Sequence, residues 1–145
     1  MTTVRELAAG ETALAFAALQ ALRPHLSDED AFVQRVDELQ RPEGYRIVAA
    51  FEDGARQASA AAGFRIVHNL AWGRFLYVDD LSTLPEARGR GHASTLLAWL
   101  AEEASRAGCE SLHLDSGVGP DRQDAHRLYF ASGMRISSYH FNRDV

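Results

Sequence analysis

The sequence predicts a mixed α/β fold in which helices flank one central, mostly antiparallel sheet. Three observations carry this expectation. Tyr45 to Phe51, Ala58 to Val67 and Phe75 to Thr83 are successive apolar, strand-like stretches separated by short turns. Helical stretches precede this block at 11–22 and around Phe32, Val33, Val36 and Leu39, and follow it at 91–107 and 121–132. The resulting order is strand, two helices, three antiparallel strands, helix, strand, helix, strand, a layered arrangement around a single sheet.

Taken in order, residues 3–9 form a short first strand punctuated by Gly10, and Glu11 to Leu22 is an alanine- and leucine-rich helix ended by Pro24. Ser27-Asp28-Glu29-Asp30 supplies an N-cap and acidic first-turn residues for the second helix, and Arg41-Pro42-Glu43-Gly44 stops it. Glu52-Asp53-Gly54 turns the chain between the first two strands of the central block, and Ala71-Trp72-Gly73-Arg74 turns it before the third. That third strand is the strongest, running from Phe75 through Asp79 and Asp80 to Thr83 before Pro85. The helix over 91–107 carries Ala93, Leu97, Leu100 and Ala104 on one face, with Gly108 as its C-cap. Ser111 to Asp115 reads as a short buried strand, Asp121 to Ser132 as a helix closed by Gly133, and Met134 to Phe141 as a last strand or hairpin.

With 145 residues, 46% apolar and 24% charged, the chain reads as one globular domain, 1–145, large enough to build its own core. A single cysteine, Cys109, allows no internal disulfide and fits a reducing cytoplasm. No signal-like apolar stretch opens the chain and no segment nears the roughly 20 apolar residues of a membrane span, so a membrane role is not expected. A net charge of −5 argues against nucleic acid as a partner. His68, His92, His113, His126 and His140 show no metal-type spacing, so no metal is expected. Cys109 resembles a small buried apolar residue, and core packing is the simplest account of Tyr45 and Trp72, although either could line a ligand pocket.

The chemistry concentrates in Arg88-Gly89-Arg90-Gly91-His92-Ala93-Ser94, which joins the strongest strand to a helix. A helix start presents unpaired N–H groups and the positive end of the macrodipole. Two glycines there let a phosphate approach the backbone, and Arg88 and Arg90 bring mobile positive charge to the same place. His92-Ala93 excludes a P-loop, which needs Lys-Ser/Thr, and the third glycine and distant acid of a dinucleotide fingerprint are not found. Asp79 and Asp80 lie mid-strand, where aspartate is depleted, and are candidate acids. Side chains alternate along a strand, so the two point to opposite faces unless the strand bulges.

Arg88-Gly89-Arg90-Gly91-His92-Ala93 fits the Arg/Gln-x-x-Gly-x-Gly/Ala signature of the GNAT superfamily of acyl-CoA-dependent N-acetyltransferases, and Tyr77 to Ala87 resembles that family's central strand entering its pyrophosphate loop. Ala125-His126-Arg127-Leu128-Tyr129-Phe130-Ala131-Ser132-Gly133-Met134 resembles its second motif, with a tyrosine four residues before a glycine. Leu112-His113-Leu114-Asp115-Ser116 lies between them, where the family places a strand. The resemblance spans roughly residues 44 to 141. It departs at Arg122, where an asparagine is frequent, at His92-Ala93, where an aliphatic residue and glycine are commoner, and at Met134, where phenylalanine is usual.

The resemblance implies a GNAT-like sheet with about four helices, and acetyl-CoA as cosubstrate without a metal. Backbone groups of Leu81 and Thr83 would hold the pantetheine arm, and N–H groups from Gly89 to Ser94 the pyrophosphate. Asp79 or Asp80 would bind or deprotonate the amine, and Tyr129 would protonate the departing thiolate. The acceptor would be a small-molecule or peptide amine, and the C-terminal strand could pair with a second copy to make a homodimer. A non-catalytic acyl-CoA sensor or interaction domain on the same fold is the alternative.

Overall fold

The computed structural model describes residues 1–145. Its strands are β1 (Thr2–Leu7), β2 (Arg46–Glu52), β3 (Ala60–Asn69), β4 (Gly73–Thr83) and β5 (Ser111–Leu114). Its helices are α1 (Phe16–Leu22), α2 (Glu29–Arg35), α3 (His92–Arg106) and α4 (Gln123–Ala131). The strands form one sheet in the order β1-β2-β3-β4-β5, and the first three pairings are antiparallel. No helix is long and apolar enough to cross a membrane. Two compact units divide the chain, Met1–His113 and Leu114–Val145.

In the first unit, buried Leu7, Leu19, Phe32, Val36 and Ile47 build the core beneath α1 and α2. Each large apolar side chain so buried is worth about 1.5–3 kcal/mol. The alanine-rich β3 forms despite its weak strand propensity, because Ala60, Ala61 and Ala62 are completely buried. Packing overrides propensity there. Asp28 caps α2 by accepting from the Ala31 N–H at 2.9 Å, as its sequence signal requires. The helix expected from Glu11 instead starts as a 3-10 segment, Ala9–Ala15, and becomes α-helical at Phe16. Leu14 lends its carbonyl to the Ala58 N–H at 2.9 Å, which diverts it from the regular helical ladder.

Helix α3 packs Leu96, Leu97, Leu100 and Ala104 inward. Its C-terminal half is pinned to the sheet by charge. Glu103 accepts from Arg46 of β2 at 2.6 Å and from Arg106, while Arg46 also donates to Glu6 of β1 at 2.7 and 2.8 Å. Arg74 of β4 donates to the Ala107 carbonyl at 2.8 Å and so satisfies a terminal acceptor of α3.

In the second unit, a 3-10 turn at Pro120–Arg122 leads into α4, and Gly133 closes that helix with φ 84°. Two sequence expectations fail in the C-terminal part. β5 is half-buried rather than buried. Residues 134–141 form neither strand nor hairpin, although their apolar positions suggested one; Ile136, Tyr139 and Phe141 are exposed. A strand needs a partner ladder, and the second unit contains no other full strand to supply it.

Burial alone pushes the Glu103 carboxyl pKa up, but hydrogen bonds from Arg46 and Arg106 outweigh it and hold the pKa below its ordinary value. A carboxyl whose folded pKa is depressed stabilises the fold above its unfolded pKa, and that contribution is lost as pH falls through the folded value. Glu103→Gln is therefore expected to cost about 1–3 kcal/mol at neutral pH. The difference from wild type should shrink below about pH 4, as urea unfolding across pH would reveal.

Candidate active site

The loop after β4 turns through a short 3-10 segment, Pro85–Ala87, and reaches α3 through Gly89 and Gly91. Both glycines take the left-handed conformation, with φ 79° and 81°, which side-chain-bearing residues adopt at a cost. A Cβ built on either would meet no atom within 4 Å, so the space beside the backbone is open. No side chain caps α3. Its first-turn N–H groups, from His92 to Ser94, thus emerge beside two exposed glycines at the positive end of a 15-residue helix. That arrangement fits a diphosphate.

The arginines of this loop behave differently from one another. Arg88 is exposed. Arg90, expected to bring mobile charge to the loop, is instead held by Glu52 at the end of β2, its guanidinium lying 2.6 and 2.7 Å from the two carboxylate oxygens. The buried His92 ring places Nε2 2.9 Å from the same carboxylate. The His92 hydrogen bond, with Arg90 next, holds the Glu52 carboxyl below the ordinary carboxylate range.

Along β4, Gly63 pairs with Asp80 but Phe64 pairs with Val78, so Asp79 is an extra residue in the ladder. This bulge changes the expected alternation. Asp79 is gripped by Arg65 of β3 through two bonds of 2.8 Å. Asp80 accepts from the Tyr45 hydroxyl at 2.7 Å and pairs with Arg23 at 3.0 Å. Gly63 and Arg65 share one face of β3, and the Tyr45 hydroxyl lies where a Gly63 Cβ would sit. Both carboxylates therefore serve the same face rather than opposite ones. Gly63 is the residue that lets Tyr45 reach Asp80.

Tyr45 is buried, as core packing required, yet it also presents a hydroxyl to a site residue. Burial first, and then the Asp80 charge, raises its pKa well above the usual phenol value, so it remains a donor. Asp80 and Tyr45 open onto a cleft of about 290 Å³ between the N-terminal helices and β4. Leu19, Phe32 and Val36 form apolar wall, and Arg23, His25, Arg35 and Gln40 supply the remaining polar groups. Asp79 is not part of that lining. Arg23 and the cationic lining carried no signal in the sequence, because nothing there places residue 23 beside residue 80.

The backbone of β4 has a free edge. The Leu84 N–H donates to the Ser59 carbonyl at 2.8 Å, so alternation turns the N–H and C=O groups of Thr83 and Leu81 away from β3. On that other side, β5 begins where the Glu110 N–H meets the Arg74 carbonyl at 2.8 Å, and it is four residues long. It is too short to reach Leu81 and Thr83.

The second unit carries Tyr129 on α4, half-buried. Burial raises its pKa, against opposing charge and hydrogen-bond effects of Arg122. His126 is half-buried and places Nε2 2.8 Å from the Gly117 carbonyl and 3.1 Å from Ser116 Oγ. Cys109 is half-buried. Trp72 is exposed rather than packed in the core, and its ring stacks on His113 with centroids 3.8 Å apart.

The acetyltransferase (GNAT) family model matches residues 12–134. An uncharacterised N-acetyltransferase, YhdJ, of Bacillus subtilis (strain 168) is 32% identical over 137 residues, covering 93% of this chain and 92% of that protein. The aminoalkylphosphonate N-acetyltransferase of Salmonella typhimurium (strain LT2) is 39% identical over 66 residues, or 46% of this chain and 42% of the relative. Among solved structures, an aminoglycoside N-acetyltransferase, AAC(6')-Iy, in complex with CoA superposes with a TM-score of 0.82 at 19% identity, over 99% of this chain and 95% of that one. A protein described as a transcriptional regulator from Bacillus halodurans C-125 superposes equally well, TM-score 0.82 at 20% identity and full coverage of both chains, so the likeness at this level concerns fold alone. The family match and the Bacillus subtilis relative, together with the glycine-bearing helix entrance beside the bulged strand, establish that this chain belongs to the GNAT family of acetyltransferases.

Proposed function

We propose that the chain, acting as one domain in the cytoplasm, transfers an acetyl group from acetyl-CoA to a primary amine by direct attack in a ternary complex. The observation that carries this reading is the placement, on one strand–loop–helix segment, of an open helix entrance and a carboxylate lining a cleft. The entrance suits the diphosphate of CoA, and the carboxylate suits an amine.

Backbone N–H groups from Gly89 through Ser94, with Arg88 alongside, are the proposed diphosphate site. The free edge of β4 at Leu81 and Thr83 is proposed to hydrogen-bond the pantetheine arm, and an N–H of this strand to polarise the reacting carbonyl. Acetyl-CoA supplies an activated acyl thioester. Asp80 is proposed to bind the ammonium and receive its proton, because its carboxylate lines the cleft and that of Asp79 does not; each already holds a guanidinium, Asp79 that of Arg65 and Asp80 that of Arg23. Tyr45 holds that carboxylate in place, and Arg23 pairs with its other oxygen. Tyr129 is proposed to give its Oη proton to the leaving sulfur. This role rests on its place in the family's second motif, since a phenol stays protonated at neutral pH and can donate to a developing thiolate.

A non-catalytic acyl-CoA sensor would need the loop but neither Asp80 nor Tyr129. A thiol-release assay with acetyl-CoA and a panel of amines separates the two readings: tight CoA binding with no turnover of any amine selects the sensor.

Three substitutions test the assignments. Gly91→Asp should abolish measurable CoA binding in calorimetry while preserving the fold, since aspartate tolerates the left-handed conformation but brings a negative charge to the diphosphate. Tyr129→Phe should lower kcat by about 10²-fold or more with CoA affinity little changed. Asp80→Asn should lower kcat/KM by about 10²–10⁴-fold, and Asp79→Asn by far less; equal losses would reject the choice between them.

A further inference from the structure

The cleft beside Asp80 carries a charge pattern opposite to that of the whole chain. The protein has a net charge of −5, yet the charged side chains lining this cleft are Arg23, Arg35 and Asp80, with His25 beside them. Arg35 is exposed and takes part in none of the ion pairs of the chain. Arg23 sits at the C-cap of α1 with its side chain half-exposed, and its carboxylate partner is Asp80 itself, at 3.0 Å. The Arg23 guanidinium thus occupies the place an incoming ammonium would take.

A purely cationic amine entering here would displace Arg23 from Asp80 and add a third positive charge to a cleft whose lining holds a single acid. An amine that also carries an anion would exchange partners instead. Its ammonium would take Asp80, and its anion would take the released Arg23 together with Arg35. Asp80 and Arg23 would then each keep a partner and Arg35 would gain one, and bidentate guanidinium recognition of a carboxylate or phosphonate would fix its orientation. The volume, about 290 Å³, lies at the lower end for small-molecule sites and suits a compact acceptor.

We infer that the acceptor is a small aminoalkyl carboxylate or phosphonate, its amine at Asp80 and its anionic group held by Arg23 and Arg35. The inference rests on the assignment of Asp80 to the amine. It sets aside the cationic acceptor that net acidity alone would suggest, because a bound ligand responds to the local lining and not to the sum over the surface.

The experiment compares matched acceptors on the intact chain with acetyl-CoA: glycine, β-alanine and 4-aminobutyrate against their amides, 2-aminoethylphosphonate against ethanolamine, and putrescine as the cationic control. At least one anionic amine is expected to exceed its neutral partner and putrescine by tenfold or more in kcat/KM. Arg35→Gln, a change at an exposed side chain, should reduce that preference at least tenfold, mainly through KM. Neutral amines or putrescine acting as well as every anionic one, or an undiminished preference in Arg35→Gln, would overturn the inference. Calorimetric titration of the same anionic amines into the CoA-saturated protein gives a readout independent of turnover. Binding to wild type that is lost in Arg35→Gln, with no turnover of any amine, would support the anion site and reject the transferase reading. Absence of both binding and turnover for the anionic amines would reject the anion site, while turnover of the neutral or cationic amines in that case would leave the transferase reading standing.

Discussion

Glu52 accepts hydrogen bonds from Arg90 and lies against the buried Nε2 of His92, tying the last residue of β2 to the loop that opens α3. Much of the loop's chemistry depends on that tie. Left free, the Arg90 guanidinium would be a mobile cation beside the exposed glycines. Bound to Glu52, it anchors the loop, and the anion-attracting part is left to the exposed Arg88 and to backbone N–H groups. Such groups are fixed by the helix and need little reorganisation to meet a charge. At the other end of α3, Glu103 and Arg46 fasten the helix to β2, so the same strand constrains both ends. The direction of the helix axis, and hence of its dipole, follows from those two attachments.

A second constraint acts within β4. Asp79 is one residue too many for the ladder, and the resulting bulge turns Asp79 and Asp80 to the same face. Two adjacent carboxylates on one face would repel each other if nothing separated their partners. Here Arg65 closes around Asp79, while Tyr45 and Arg23 divide the oxygens of Asp80. The division distinguishes the two acids. Asp79 is held against the sheet by Arg65, and Asp80 lines the cleft. Gly63 matters for the same reason, because any Cβ there would collide with the tyrosine that orients Asp80.

These two constraints also explain what could be read from the sequence. The strand blocks, the helix periods and the glycine spacing at Gly89 and Gly91 are local signals, and the structure places elements where those signals occur. The cap at Asp28 and the stop at Gly44 were legible for the same reason. The bulge at Asp79 was not, since it is defined by pairing with β3, which no local pattern records. The capture of Arg90 by Glu52 spans 38 residues, and that of Asp80 by Arg23 spans 57. Residues 134–141 failed in the opposite direction: a local apolar pattern was present, but a strand also requires a neighbour to pair with.

Net charge was informative only at the scale on which it acts. A sum of −5 opposes a nucleic acid, which samples a broad stretch of surface and needs many cationic contacts. It does not oppose a diphosphate at a helix entrance, because the relevant field there comes from N–H dipoles that contribute nothing to the formal count. Nor does it describe the cleft, where Arg23 and Arg35 outnumber Asp80 although acids outnumber bases over the chain. Within a few ångströms the nearest charges dominate, and beyond roughly 8–10 Å in physiological salt the remainder is screened. An acidic protein can therefore carry a cationic lining in one cleft and outward-facing N–H groups at one helix entrance, and still repel polyanions from its surface as a whole.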